Sequence, residues 1–348
     1  MLMFRSCRRF LYTGVAAVIC HFWVPTGSSL ADDVVIVRAA PGEKQRRVTG
    51  TVADYTGESL LLQYPNGRQE TIDPDRVIDV IGNWKEIHQS ANASFAAGDF
   101  GAAEAKYRQA LRDEERRWVQ RRVLSQLTWC YRYLGRIDDA VKAFAPLYRD
   151  DPTTPYIAAI PLTWITTQPN LDVERQATAW LQDKSSAALR LIGASWTLAS
   201  ARRAEAIKAL REFVGESDPR IVFLAEAQLW RTQAVTSAQE DVERWRQRIE
   251  LMPSTIRGGP YYVVGAALSR HEMHEQAAIN FMRTAILFSA ERDLVPYALL
   301  AAGRELETMG QVSDAVGLYR EILNKHPKAQ VAIDASTRLK QLADGNQK

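Results

Sequence analysis

Cysteine is scarce in this chain. Three occur in 348 residues, and Cys7 and Cys20 both fall within the first thirty-one positions. If that stretch is removed, only Cys130 remains and an internal disulfide framework is excluded. Cys130 follows Trp129 in an apolar helical pattern, where a buried thiol is expected rather than a reactive one. Histidine is scarce too. His88 and His326 stand alone, and His271-Glu272-Met273-His274 spaces its pair by three across a turn, not by the four that aims two histidines at one zinc. No metal site and no cofactor is expected. The chain also lacks a Walker loop, a nucleophile elbow and a dinucleotide glycine fingerprint. Its adjacent carboxylates, Asp113-Glu114-Glu115 and Asp150-Asp151, close helices without the fixed separation that glycoside hydrolysis requires. These gaps point away from an enzyme.

Net charge is nearly missing as well. The formal +3 arises from 44 basic and 41 acidic residues, and Arg5, Arg8 and Arg9 account for all of it. They head an apolar run from about Phe10 to Val24, followed by Ser29-Leu30-Ala31, which is the order of a secretory signal with cleavage near Ala31. The run is too short for a comfortable membrane span. An uncleaved anchor is the alternative, and Ile19 stands before Cys20 where a lipobox needs a small residue. An extracytoplasmic location, periplasmic or secreted, is therefore expected, with membrane contact only through an uncleaved signal. The remaining chain is electrically balanced, which argues against nucleic acid as a partner.

What is present changes in texture near residue 83. Residues 32–83 are rich in β-branched side chains, and 34–37, 48–53, 59–64, 69–72 and 77–81 read as five short strands. Asn66-Gly67 marks a hairpin and Thr56-Gly57 a second turn. Five strands in so short a stretch suggest a small SH3-like or Sm-like barrel whose closure would remove exposed edges. Lys44, Arg46 and Arg47 are its main basic cluster, better read as a charged loop than as a nucleic-acid site.

From Trp84 onward the pattern is helical, with small and aromatic residues at recurring offsets. The clearest unit, 296–329, carries Ala302-Gly303, Leu306, Gly310, Ala315, Tyr319, Ile322 and Pro327. Units 84–117, 121–154 and 258–291 repeat much of this, and 155–186, 187–219 and 222–255 do so weakly. The pattern resembles the tetratricopeptide repeat: a small pair lets two helices approach, an aromatic fills the gap between hairpins, and a proline ends the second helix. That resemblance covers 84–343 and implies a mainly α protein. It implies an α-solenoid of about seven helical hairpins with a capping helix; the β module precedes it, and 344–348 are expected to be a disordered tail. Arg338, Lys340 and Gln341 would form the polar outer face of that cap. The resemblance also implies a concave groove that holds an extended peptide.

Four tryptophans mark the repeat interval. Trp129, Trp164, Trp196 and Trp230 lie 35, 32 and 34 residues apart. Trp129 and Trp230 occupy first-helix positions expected to face the groove. Trp164 and Trp196 depend on Pro161 and on a shift of one residue, which turns a helical side chain by about 100°. Packing between degenerate repeats is the competing expectation, because indoles are large and mostly buried. Arg122, Arg132 and Tyr133 share a helix with Trp129, and Arg190 and Arg231 lie near the later indoles. Guanidinium groups beside aromatics would suit an acidic ligand. The run Arg116, Arg117, Arg121 and Arg122 is expected to form a solvated helix face. The expected function is an exported, non-catalytic scaffold that binds a protein or peptide partner. Binding of a cell-envelope glycan by indole stacking, or a purely structural accessory role, is the alternative.

Overall fold

A computed structural model describes residues 33–38, 44–166 and 169–345. The signal expectation, with Arg5, Arg8, Arg9, Cys20 and Ala31, lies outside the described residues, as do 346–348 of the expected tail. Residues 344 and 345 belong to the last helix instead.

Five strands form one antiparallel sheet. They are β1 (Asp33–Val37), β2 (Arg46–Tyr55), β3 (Leu60–Gln63), β4 (Gln69–Ile72) and β5 (Val77–Ile81), in spatial order β4-β3-β2-β1-β5. Strict alternation explains the fold: Val35 and Val37 of β1, Val48 and Val52 of β2, and Leu60 and Leu62 of β3 all turn inward. The ten-residue β2 serves both halves of the sheet. It pairs with β1 through its first half and with β3 through its second, and the register slips between Val52 and Asp54. Gly67 supplies the positive φ, 82°, of the expected hairpin turn. The ladder does not close. β4 and β5 end the order, so the sheet keeps two edges where a closed barrel was expected.

The rest is mainly helical. A first group comprises α1 (Glu86–Ala96), α2 (Phe100–Asp113), α3 (Arg117–Tyr133) and α4 (Ile137–Asp150). A second comprises α5 (Leu171–Gln182), α6 (Ala187–Thr197), α7 (Arg203–Glu212), α8 (Pro219–Gln233) and α9 (Gln239–Glu250). The third comprises α10 (Gly258–Arg270), α11 (His274–Leu287), α12 (Val295–Thr308), α13 (Val312–Lys325) and α14 (Ala332–Gly345). Asp99, Asn170, Ser186 and Asp218 cap α2, α5, α6 and α8, each accepting a backbone N–H of the first turn.

Consecutive helices pack as α1 on α2, α3 on α4, α10 on α11 and α12 on α13. Small residues permit the approach. A Cβ on Gly303 would lie 2.5 Å from the Tyr319 ring, and one on Gly265 would lie 2.9 Å from Phe281. The α10–α11 turn holds Glu272 at φ 57°, where the α12–α13 turn has Gly310 at 75°.

The middle departs from the expected phase. Between α4 and α5 the described chain forms only a 3-10 turn at Ile157–Ala159. Pro152, Pro155, Pro161 and Pro169 remove backbone donors there, and the first three hold their predecessors out of helical conformation. Residues 155–186 therefore supply one helix, not a hairpin, and α5 pairs with α6. Trp164 stands on this irregular segment.

Two apolar clusters form the core. One runs from α3 to α14, and the other joins Val35, Val52 and Leu60 of the sheet to Ala103, Trp118 and Val123 of the first helices. The β module thus shares its core with α1–α4. At the other end, Arg338 of α14 pairs with Glu307 of α12 while staying partly in solvent, and Lys340 and Gln341 are exposed.

Candidate functional site

Of the expected groove residues, Trp129, Arg132 and Tyr133 come together, while Arg122, Trp164, Trp196 and Trp230 each meet a different part of the protein. Arg132 is 4% exposed and grips Asp293, before α12, with Nη2 to Oδ2 at 2.9 Å and Nε to the same oxygen at 3.1 Å. Its Nη1 donates to the carbonyls of Ala158 and Ile160 at 3.3 Å each. The guanidinium also lies 4.1 Å from the centre of the Trp129 ring. Tyr133 donates its hydroxyl to the Ala290 carbonyl, and Arg292 lies over Phe100 and Tyr133. These contacts fasten α3 to the 290–293 turn, 161 residues away for Arg132 and Asp293.

The tryptophans divide accordingly. Trp164 and Trp230 are 7% and 6% exposed, which corrects the expectation that the indoles line an open groove. Trp164 lies so flat on α10 that a Cβ on Gly259 would stand 1.9 Å from its ring. Gly259→Ala is therefore expected to cost about 1–3 kcal/mol, lowering the urea midpoint without changing the denaturant slope. Trp230 stacks on Trp245 at 5.5 Å and 11°, bridging α8 and α9. Trp196 is half-buried and donates Nε1–H to the Pro161 carbonyl at 2.8 Å. Trp129 keeps an edge on one cavity, and Trp164 borders a smaller one beside it.

The nearby arginines are engaged too. Arg231 donates to the carbonyls of Ile165 and Ser195 at 2.7 and 3.3 Å, and burial pulls its pKa down to about 10. Arg190 pairs with Glu212. The expected solvated face of α3 is corrected as well: Arg121 is 4% exposed and binds Asp54 of β2, the Tyr55 carbonyl and Asp150 of α4. Arg122 donates to the Val80 carbonyl of β5 at 3.0 Å, and Arg116 pairs with Glu114 at 2.9 Å. Only Arg117, paired with Asp150, stays largely in solvent. This run fastens helices to sheet.

Isolated reactive types fall where apolar packing places them. Burial pushes the Cys130 thiol up to about 12 and pulls His88, tilted on Trp84, down to about 4. His271 turns to the Ser237 carbonyl at 3.0 Å, whereas His274 turns to Glu305 at 2.7 Å. The two rings serve different partners.

A wide cleft of about 1200 Å³ lies between sheet and helices. One wall is β5, from Val77 to Val80, and the other carries Arg220, Phe223, Leu251 and Arg257. β5 ends the sheet, so its free edge borders the cleft. At Val80 that edge is blunted: its N–H is taken by the Asp79 carboxylate at 2.8 Å and its carbonyl by Arg122. Ile78 and Leu251 present exposed apolar side chains from the two walls, at 43% and 68%. Arg220 donates to the carbonyls of Pro152, Thr153 and Thr154 and pairs with Asp218, which makes that wall rigid.

A smaller pocket of about 440 Å³ shares Ser254, Thr255 and Arg257 with the cleft. Trp129, Tyr261, Leu287 and Phe288 wall it, and Glu291 brings a carboxylate to it. Glu291 is 9% exposed, and its nearest cation is Arg132 at 3.9 Å. Burial pushes its pKa up to about 7, against the pull of Arg132 and with help from Asp293.

Neither space was legible in the sequence. Ile78, Leu251 and Glu291 obey no motif, and each matters only because distant segments converge on it. No family model matches the chain, and no curated protein matches it.

Proposed function

We propose that this chain is an exported, non-catalytic interaction scaffold of tetratricopeptide type, which receives an extended peptide segment in the cleft between its sheet and its helices. The repeat reading is supported by Gly265 against Phe281 and Gly303 against Tyr319, the small-to-aromatic approaches that such hairpins need. An SH3-like ancestry of the bent five-stranded sheet belongs to the same proposal. The observation that carries the binding mode is the β5 edge: a terminal strand facing an open cleft offers main-chain groups to an added strand. Ile78 and Leu251 would hold the added segment from its two sides.

Selection of random dodecapeptides displayed on phage tests this reading. Enriched peptides should bind the full chain, lose about tenfold or more in affinity to the double variant Ile78→Asp, Leu251→Asp, and leave its melting temperature unchanged. Undiminished binding to that variant, or failure to enrich any peptide, would overturn the cleft as the site.

A further inference from the structure

The pocket beside the cleft has a composition that selects a ligand. Its walls are apolar and aromatic: Trp129, Tyr261 and Phe288 enclose it, and Leu287 stands at its mouth, 66% exposed. Into this setting α11 and the turn after it bring one acidic side chain. No donor sits within hydrogen-bonding distance of the Glu291 carboxylate among the described residues. A carboxylate held in apolar surroundings without a donor is costly, and the cost is relieved by a cation that supplies N–H groups.

The charged groups around Glu291 leave its carboxylate open to an incoming cation. Arg132, from α3, is the nearest cation, but its fork is spent on Asp293 and on the carbonyls of the 158–160 turn. Asp293 faces the same guanidinium and adds negative potential. Arg257 stands at the rim, before α10, with its own N–H groups committed to Glu250 and to the carbonyls of Glu250 and Met252. Arg283 lies over the Tyr261 ring, 5.3 Å from its centre. An aromatic wall also favours a cation over a neutral group of equal size.

We propose that this pocket binds an alkylammonium or guanidinium group on an apolar stem, with Glu291 as counter-ion and Trp129, Tyr261 and Phe288 as walls. Within the function proposed above, the source is a lysine or arginine side chain of the segment lying in the cleft, because Ser254, Thr255 and Arg257 border both spaces. The cleft places the backbone; the pocket reads one basic side chain.

The test uses three six-carbon probes on the full chain, followed by ligand-detected NMR and calorimetry: n-hexylammonium, n-hexanol and n-hexanoate. Hexylammonium should bind more tightly than hexanol, and hexanoate should not bind. Glu291→Gln should weaken hexylammonium about tenfold or more while leaving hexanol unchanged. Leu287→Arg, on an exposed side chain, should weaken it as well and guards against a folding defect in the first variant. Hexylammonium affinity should also rise between pH 5 and pH 8, because Glu291 ionises near 7 while the amine stays charged. Equal binding of hexanol and hexylammonium, or of hexylammonium to wild type and Glu291→Gln, would overturn the proposal. A pentapeptide with central lysine, compared with its norleucine analogue, identifies the source: preference for lysine supports a partner side chain, whereas hexylammonium binding without such preference ties the site to free amines. Small amines report on the pocket alone, so their failure leaves the Ile78 and Leu251 result standing, and the converse.

Discussion

Arg132→Ala is expected to destabilise the protein by about 3–5 kcal/mol and to open the helical array. The substitution removes a guanidinium that is 4% exposed and leaves Asp293, Glu291 and three backbone carbonyls facing the space it filled. Two carboxylates without their cation repel one another, and Glu291 has little access to water. Trp129 loses the cation over its ring at the same time. Solvent softens part of the loss, because Asp293 keeps 31% of its side-chain exposure, so Asp293→Ala should cost less than Arg132→Ala. Arg132→Lys should recover little. A lysine keeps the charge but cannot hold both Asp293 oxygens and the 158–160 carbonyls with one planar fork. Urea unfolding measures the first effect. Hydrogen exchange at residues 288–294 and in α3 measures the second, since both should exchange faster if the contact between them is released. A loss of stability under about 1 kcal/mol, with unchanged protection at 288–294, would show that α3 and the 290–293 turn stay together without this contact.

Arg121→Ala is the second large effect, expected at about 3 kcal/mol. Burial alone would lower the pKa of this guanidinium, but Asp150 and Asp54 more than reverse that and raise it. The side chain joins three elements at one point: Asp54 and the Tyr55 carbonyl of β2, Asp150 of α4, and α3 itself. Asp54 and Asp150 are 49% and 26% exposed, so either Asn variant alone should cost clearly less than removing the arginine. The form of the transition is informative. The sheet shares an apolar cluster with α1–α4, so Arg121→Ala should lower the midpoint of a single transition. A separate low-temperature transition of the sheet would instead mean that the β module folds alone and is only tethered here.

The match between sequence and structure is uneven for identifiable reasons. The strands were legible because alternation of apolar and polar residues has only one structural meaning, and Asn66-Gly67 fixed the hairpin by its tolerance of positive φ. Helices with turn glycines and small-to-aromatic pairs were equally readable, as in α12 and α13. The hairpin expected at 155–186 rested on repeat spacing and helix length, and Pro155, Pro161 and Pro169 remove backbone donors that its first helix would need. Arg121 and Arg122 looked like a solvated run for a related reason. Charge alone does not disclose that β2 and β5 lie over them.

The tryptophan interval shows the same division. Its even spacing suggests units of equal length, yet Trp129, Trp196 and Trp230 stand in α3, α6 and α8 whereas Trp164 stands outside any helix. What each indole touches does not follow, because that depends on which neighbouring unit comes opposite. Trp164 meets Gly259, Trp230 meets Trp245, and Trp129 meets Arg132 and a cavity shared with residues 254–291.

Local chemistry, carried by neighbours within about one helical turn or along one strand, is written in the sequence: strand and helix types, caps, turns, and the scarcity of cysteine and histidine. The cleft beside β5 and the Glu291 pocket were decided only by tertiary structure. Their walls come from segments more than a hundred residues apart, and the cost of a buried carboxylate is set by whatever charges and rings the fold brings beside it.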